Sequence, residues 1–249
     1  MISQLIAGII LAIVQGITEF LPISSDGHLT LVSNLFFKPS LAFFVFLHLA
    51  SLLAIVIYTR KEIWRLLHFK KEDRKYLIYL IIGIIPAGIA GLLLKSIVEA
   101  EINSLLFTGI AFIFTGSILL MTKDTKQISG INFRNAIGIG FAQILALFPG
   151  ISRSGMTIST AKIMGVKNKE AFKFSFLLLI PLTIGAVLLD INTISNFSAW
   201  VLIPFFVCLI VSLFCLRILE KIIIKDKFWM FSFYCFLIGI VTIGLSFIR

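Results

Sequence analysis

Apolar residues fill six long runs of this chain, and polar residues collect between them. The runs are Leu41 to Thr59, Tyr76 to Lys95, Ser104 to Met121, Glu170 to Asp190, Ala199 to Leu219, and Phe228 to Ile248. A helix needs about 20 mostly apolar residues to cross a bilayer, so each run predicts a spanning helix. Two further apolar stretches behave differently. Ile2 to Phe20 runs into Pro22 and is followed only by the short piece Leu29 to Phe37. Ile131 to Phe148 runs into Pro149-Gly150 and is followed by Met156 to Gly165. Each predicts a helix that enters, breaks at the proline and returns. Such a hairpin is allowed only where its broken backbone is buried in protein or faces water.

The pattern repeats. Advancing the numbering by 128 carries Gln15 onto Gln143, Phe20 onto Phe148, Ile23 onto Ile151, Ser24 onto Ser152 and Gly27 onto Gly155. Phe44, Phe46 and Leu49 then fall on Phe172, Phe174 and Leu177. The expectation is a single membrane domain, residues 1–249, made of two repeats, roughly 1–125 and 129–249. Each repeat reads as one re-entrant hairpin plus three spans. Three is odd, so the second repeat lies upside down relative to the first. The fold class expected is an all-α polytopic membrane protein with inverted-topology repeats, an architecture many transporters use.

Charge sets the orientation. With the N-terminus outside the cytoplasm, seventeen Lys and Arg residues fall inside, seven of them between Arg60 and Lys75. Only Lys38, Lys95 and Arg249 fall outside, with Arg153 and Lys162 left in the second hairpin. The positive-inside rule favours this topology. It makes the first hairpin open outward and the second inward. The acids Glu99, Glu101 and Asp190 lie on the outer side.

Composition agrees and excludes other classes. The chain has 249 residues, 59% hydrophobic, with a mean hydropathy of +1.08. Globular proteins are about 45–50% apolar. The net charge of +10 sits between the apolar runs, which argues for membrane loops and against a nucleic-acid face. Cys208, Cys215 and Cys235 all lie in apolar segments and read as small apolar residues. The first run lacks a basic start and a small-residue cleavage site, so it reads as structure rather than a signal peptide.

The chemistry sits in the two breaks. The first reads Glu19-Phe-Leu-Pro-Ile-Ser-Ser-Asp-Gly-His28, the second Pro149-Gly-Ile-Ser-Arg-Ser-Gly-Met-Thr157. A carboxylate at membrane depth needs a cavity or a partner, which singles out Glu19. Gln15 lies one turn before it on the same helical face. Ser24 and Ser25 suit the N-cap of the outgoing helix, and Asp26 suits its first turn. Ser152 or Ser154 can cap the second outgoing helix, and Gly150 and Gly155 allow close backbone approach. Two helix N-termini then aim free amides at one centre, and Arg153 adds a bidentate donor. That combination binds phosphate. A hydroxyl or imidazole beside it can attack phosphorus, and the carboxylate can move protons or hold a metal. Plainer readings cover other residues. Asp26 reads as a helix-start charge, His48 as a packed histidine and His68 as a solvated one. Thr157 reads equally as a helix-surface hydroxyl and as a ligand, and Lys162 reads as snorkelling to the inner face.

At these islands the chain resembles the undecaprenyl-diphosphate phosphatase family, the membrane enzymes linked to bacitracin resistance. The family pattern (E/Q)-G-x-x-E-F-L-P-x-S-S-x-G-H is met gap-free by Gln15 to His28, and P-G-x-S-R-S-G-x-T by Pro149 to Thr157. The resemblance covers essentially the whole chain. It implies removal of the terminal phosphate of undecaprenyl diphosphate at the outer face of a bacterial plasma (inner) membrane, which recycles the lipid carrier for peptidoglycan. It implies that Glu19 is the essential carboxylate, serving a divalent cation (Mg²⁺ or Ca²⁺) or proton transfer. Ser25 or His28 attacks phosphorus, and Arg153 clamps the diphosphate. Gln15, Ser24, Ser152, Ser154, Gly155 and Thr157 contact the substrate. The family often has Glu at the position of Gln15, so the amide here leaves one carboxylate fewer. The partners implied are a polyprenyl diphosphate lipid and the membrane, with a homodimer as a further expectation. The competing reading is a polyprenyl-phosphate flippase, because an inverted repeat suits alternating access as well as catalysis.

Overall fold

The computed structural model describes residues 2–35, 40–68, 70–71, 73–101, 104–189 and 199–248. Lys38, Asp190 and Arg249, used in the charge argument, lie outside the described residues. Each of the six expected spans is a helix: α3 (Leu41–Tyr58), α5 (Arg74–Leu93), α7 (Leu105–Leu120), α10 (Asn168–Leu189), α11 (Leu202–Ile224) and α12 (Phe231–Ser246). The two broken stretches are helix pairs, α1 (Ile2–Thr18) with α2 (Ser25–Leu35) and α8 (Phe133–Leu145) with α9 (Arg153–Ile163). Two short helices fill connections that the apolar pattern leaves as loops, α4 (Arg60–Leu67) and α6 (Lys95–Glu101).

Among the described residues, α5, α10, α11 and the segment Phe228–Ser246 are long and apolar enough to cross a membrane. The helix at Ala42–Tyr58 joins them when counted with α4, from which it is bent by 70°. α7 is a shorter apolar helix of 16 residues. Ile81, Ile85, Leu93, Ile210, Phe214 and Leu237 expose large apolar side chains outward. An apolar surface of that extent suits lipid.

The halves pack reciprocally. α1 packs on α11 and α8 on α5, while α3 meets α10 and α7 meets α12. Exchanging each element with its partner 128 residues away swaps the first two pairs and leaves the last two unchanged. Small residues make these contacts close. A Cβ added at Gly109 of α7 would lie 3.0 Å from the Gly239 carbonyl oxygen of α12.

The base-rich connections gather at one end. Lys173 on α10 pairs with Glu62 on α4 at 2.9 Å, and the Tyr58 hydroxyl donates to Glu220 on α11. The Asn168 amide donates to Gln127 Oε1, and Lys123 lies 5.0 Å from the centre of the Trp229 ring. Lys162 departs from the snorkelling expectation. It is 1% exposed, and its ammonium donates to Asn168 Oδ1 (2.7 Å) and to Asp226. The turn after α11 brings Asp226 to it, so a partnered burial replaces an extended reach to water.

Candidate active site

Pro22 and Pro149 interrupt the two hairpins, and the interrupted backbone is satisfied by cross-connections. α1 ends at Thr18, and Ser24 adopts φ +65 just before α2 begins. The Ser24 hydroxyl oxygen accepts the Gly27 amide of its own helix (3.3 Å) and the Gly150 amide of the other island (3.1 Å). Gly150 has φ +94, and a Cβ there would lie 2.5 Å from the Thr108 carbonyl oxygen. Thr115 of α7 donates to the Gly150 carbonyl (2.9 Å) and accepts the Ser152 amide (3.2 Å). Ser152 caps α9 by accepting the Gly155 amide at 3.1 Å. Thr115 of α7 thus holds the second break, and Ser24 of the first break is fastened to it at Gly150.

The starts of α2 and α9 face one cavity of about 760 Å³. Glu19 is its hub, with a side chain 2% exposed. One carboxylate oxygen accepts Arg153 Nη2 at 2.8 Å. The other accepts Gln15 Nε2 at 2.9 Å and the Ser25 hydroxyl at 2.7 Å. Arg153 also donates to the Thr183 hydroxyl of α10, at 3.3 Å. Residues 134 apart in sequence therefore join a hydroxyl, a carboxylate and a guanidinium into one chain of contacts. The remaining walls are largely apolar, including Phe44, Leu92, Leu147 and Leu182.

Several expected site residues stand elsewhere. His28 is buried and does not line the cavity. Its Nδ1 faces the Ser24 carbonyl at 2.8 Å, so that nitrogen carries the proton and donates. Nε2 then accepts the Tyr234 hydroxyl at 2.7 Å, and the ring stacks on Tyr234. With its lone pair engaged outside the cavity, His28 is not placed to attack a substrate there. Gln15, Ser154, Gly155 and Thr157 are buried behind the cavity wall. Gln15 touches the site only through Glu19. Ser154 reaches Ser152 (3.3 Å) and the Leu21 carbonyl (3.4 Å), and Thr157 bonds Ser175 at 2.5 Å. Ser24 and Ser152 line the cavity, with their oxygens accepting backbone amides.

Other residues enter the site that sequence reasoning set aside. His48 of α3 is not simply packed: it lines the cavity, with Nε2 3.8 Å from Glu19 and 3.7 Å from Asp26. Asp26 points into the same space, with a side chain 58% exposed. The available signal was the default to function for an ionisable residue inside a span. Thr183 and Gln143 carried no such signal. Gln143 donates to the Gly83 carbonyl at 2.9 Å, and its Oε1 has no partner among the described residues.

The divalent cation finds no protein cage. Among the described residues no three His, Cys, Asp or Glu side chains gather around a point. Both Glu19 oxygens already accept donors, one of them a guanidinium. With both oxygens engaged, Glu19 would hold a divalent cation only together with oxygens of the diphosphate.

A chamber with apolar walls and a charged end, set in broken helices, defines a class: integral membrane proteins that act on an amphiphile with an anionic head. The chain belongs to the family described as Bacitracin resistance protein BacA, which it matches over residues 8–241. It is 41% identical to the undecaprenyl-diphosphatase of Thermosipho africanus, covering 94% of this chain and 97% of that protein. It is also 41% identical to the enzyme of the same name from Thermosipho melanesiensis, covering 97% and 99%. A Methanococcus vannielii protein with that name is 38% identical, covering 94% and 98%.

Proposed function

We propose that this chain is a membrane phosphatase that hydrolyses undecaprenyl diphosphate to undecaprenyl phosphate and inorganic phosphate. The observation that carries this reading is the Ser25–Glu19–Arg153 chain at the charged end of the cavity. Phosphoryl transfer needs positioning and charge neutralisation above all. Arg153 is held at the cavity by Glu19 and Thr183, in position to exchange its carboxylate for a phosphate, which it grips through two parallel hydrogen bonds. That exchange leaves Glu19 as acceptor for the Ser25 proton. Ser25 Oγ then attacks the terminal phosphorus, and the starts of α2 and α9 supply the positive ends of two helices. A divalent cation, where bound, would be held largely by the diphosphate and would supply neutralisation of its charge.

The lipid product serves peptidoglycan synthesis, and its recycling accounts for bacitracin resistance. We place the mouth of the cavity on the extracytoplasmic side of the plasma membrane and read the halves as inverted repeats. The clustering of the base-rich connections and the reciprocal helix pairing support this. A homodimer belongs to the same proposal. The flippase reading gives no reason for a serine hydroxyl bonded to a buried carboxylate, and the named relatives favour hydrolysis.

The test is phosphate release from undecaprenyl diphosphate by purified protein in detergent, with Ser25→Ala, Glu19→Gln and Arg153→Ala beside the wild type. The wild type should turn over and all three variants should fail. An inactive wild type over a range of polyprenyl diphosphates and cations would sink the reading.

A further inference from the structure

We infer that Asp26 is a second base of this site, acting on water, and that His48 is the residue that positions it. This rests on the phosphatase reading and deepens it. Four charged or titratable side chains line the cavity among the described residues: Glu19, Asp26, His48 and Arg153. Arg153 neutralises Glu19 directly. Among the described residues no arginine or lysine forms an ion pair with Asp26. Its direct partner is His48, at 3.7 Å, and the same His48 nitrogen stands 3.8 Å from Glu19. His48 Nδ1 faces the Phe44 carbonyl at 2.9 Å, so that nitrogen is protonated and the ring is held with Nε2 between the two carboxylates. One imidazole thus spaces and screens two acids.

The chemistry needs both acids. In the first step Ser25 Oγ forms a bond to phosphorus. The bond from phosphorus to the bridging oxygen breaks, and its electron pair leaves with the lipid monophosphate. The serine proton passes to Glu19. In the second step a water oxygen bonds to the same phosphorus and the Oγ–P bond breaks. Ser25 Oγ takes back the proton that Glu19 holds. Glu19 therefore cannot also accept the proton lost by water. Asp26 takes it, being next to Ser25 in the chain, on the same cavity, and far more open than Glu19 (58% against 2%). That openness faces the cavity, where a proton can pass to water. If Asp26 is only a charge in the first turn of α2, removing it leaves the kinetics alone.

The experiment uses undecaprenyl diphosphate labelled in its terminal phosphate, with full-length protein in detergent, quenched at short times. The Asp26→Asn variant is expected to release one lipid monophosphate per protein and then slow by about 100-fold, within the usual range for loss of a general base. Labelled phosphate should accumulate on Ser25. Asp26→Glu should restore part of the second step. His48→Gln should slow the same step, by less than Asp26→Asn does, and alter its pH profile, leaving the first burst intact. Wild-type turnover by both Asp26→Asn and His48→Gln, with no trapped label, would overturn the inference. A Ser25→Ala protein that still turned over would overturn the phosphatase reading beneath it, whatever Asp26→Asn did.

Discussion

The hydroxyl oxygen of Ser24 accepts the amide of Gly150 at 3.1 Å, across 126 residues of sequence. It accepts the Gly27 amide as well, so one oxygen stitches the two broken hairpins together. Ser24→Ala leaves two buried amides without that acceptor, at about 1–3 kcal/mol for each unsatisfied group. Gly150→Ala is expected to be worse, because its Cβ would meet the Thr108 carbonyl at 2.5 Å with φ at +94. Gly88→Ala is the control, since a Cβ there meets nothing within 4 Å. Thermal unfolding in detergent should rank them Gly150→Ala lowest, then Ser24→Ala, with Gly88→Ala near wild type.

Arg153→Lys should fail almost as badly as Arg153→Ala. Lysine is a point donor and cannot reproduce a planar fork that engages two oxygens. Phosphate release should drop at least about 100-fold in both, the scale for losing one preorganised donor. A lysine variant within a few-fold of wild type would refute the clamp.

Ser25→Ala and His28→Ala should separate by mechanism. The serine variant should keep its melting temperature and lose turnover. The histidine variant should lose stability first, because its ring is buried between Ser24, Phe112 and Tyr234. Tyr234→Phe removes one hydrogen bond to His28. It should lower stability by about 1 kcal/mol with turnover near wild type.

The Lys162–Asp226 pair gives a pH signature. Burial pushes the Asp226 carboxyl up, but hydrogen bonds from Lys162 and Asn168 more than offset this and hold it below the usual carboxylate range. A depressed folded value means its stabilisation is complete above the unfolded value, near 3.9. It is lost as pH falls through the folded value. Asp226→Asn should therefore destabilise near neutral pH, by less than the loss of a fully buried pair because Asp226 is partly open to solvent, which screens it. It should also flatten the loss of wild-type stability below about pH 4. Melting curves from pH 3 to 7 check both.

Chelation should act on the substrate and leave the fold alone. With EDTA in excess, turnover should fall while the melting temperature of the lipid-free protein stays unchanged. A fall in melting temperature would point to a structural cation held by the protein.

The long spans were legible in the sequence because lipid demands an unbroken apolar helix and tolerates little else. The two breaks were legible because Pro22 and Pro149 stand among polar and glycine residues, whereas Pro86 and Pro181 sit inside apolar spans that stay helical. Glu19, Ser25 and Arg153 stood out as polar groups where burial is expensive. His28 looked equally reactive on paper. Its removal from the cavity depends on Tyr234, 206 residues away, which offers its hydroxyl to the ring. His48 and Asp26 looked ordinary, because their joint meaning is a distance between α3 and α2.

Hydrophobic patterning by itself determined that this chain enters a membrane, where its helices run and where they break, because those outcomes follow from local transfer energies along the chain. Which polar groups then share a cavity was decided only by packing. Thr115 of α7 holds the second break, Ser24 ties the first to it at Gly150, Arg153 then meets Glu19, and Tyr234 draws His28 away. Side-chain direction at a helix break depends on partners from distant segments, and no period in the sequence encodes it.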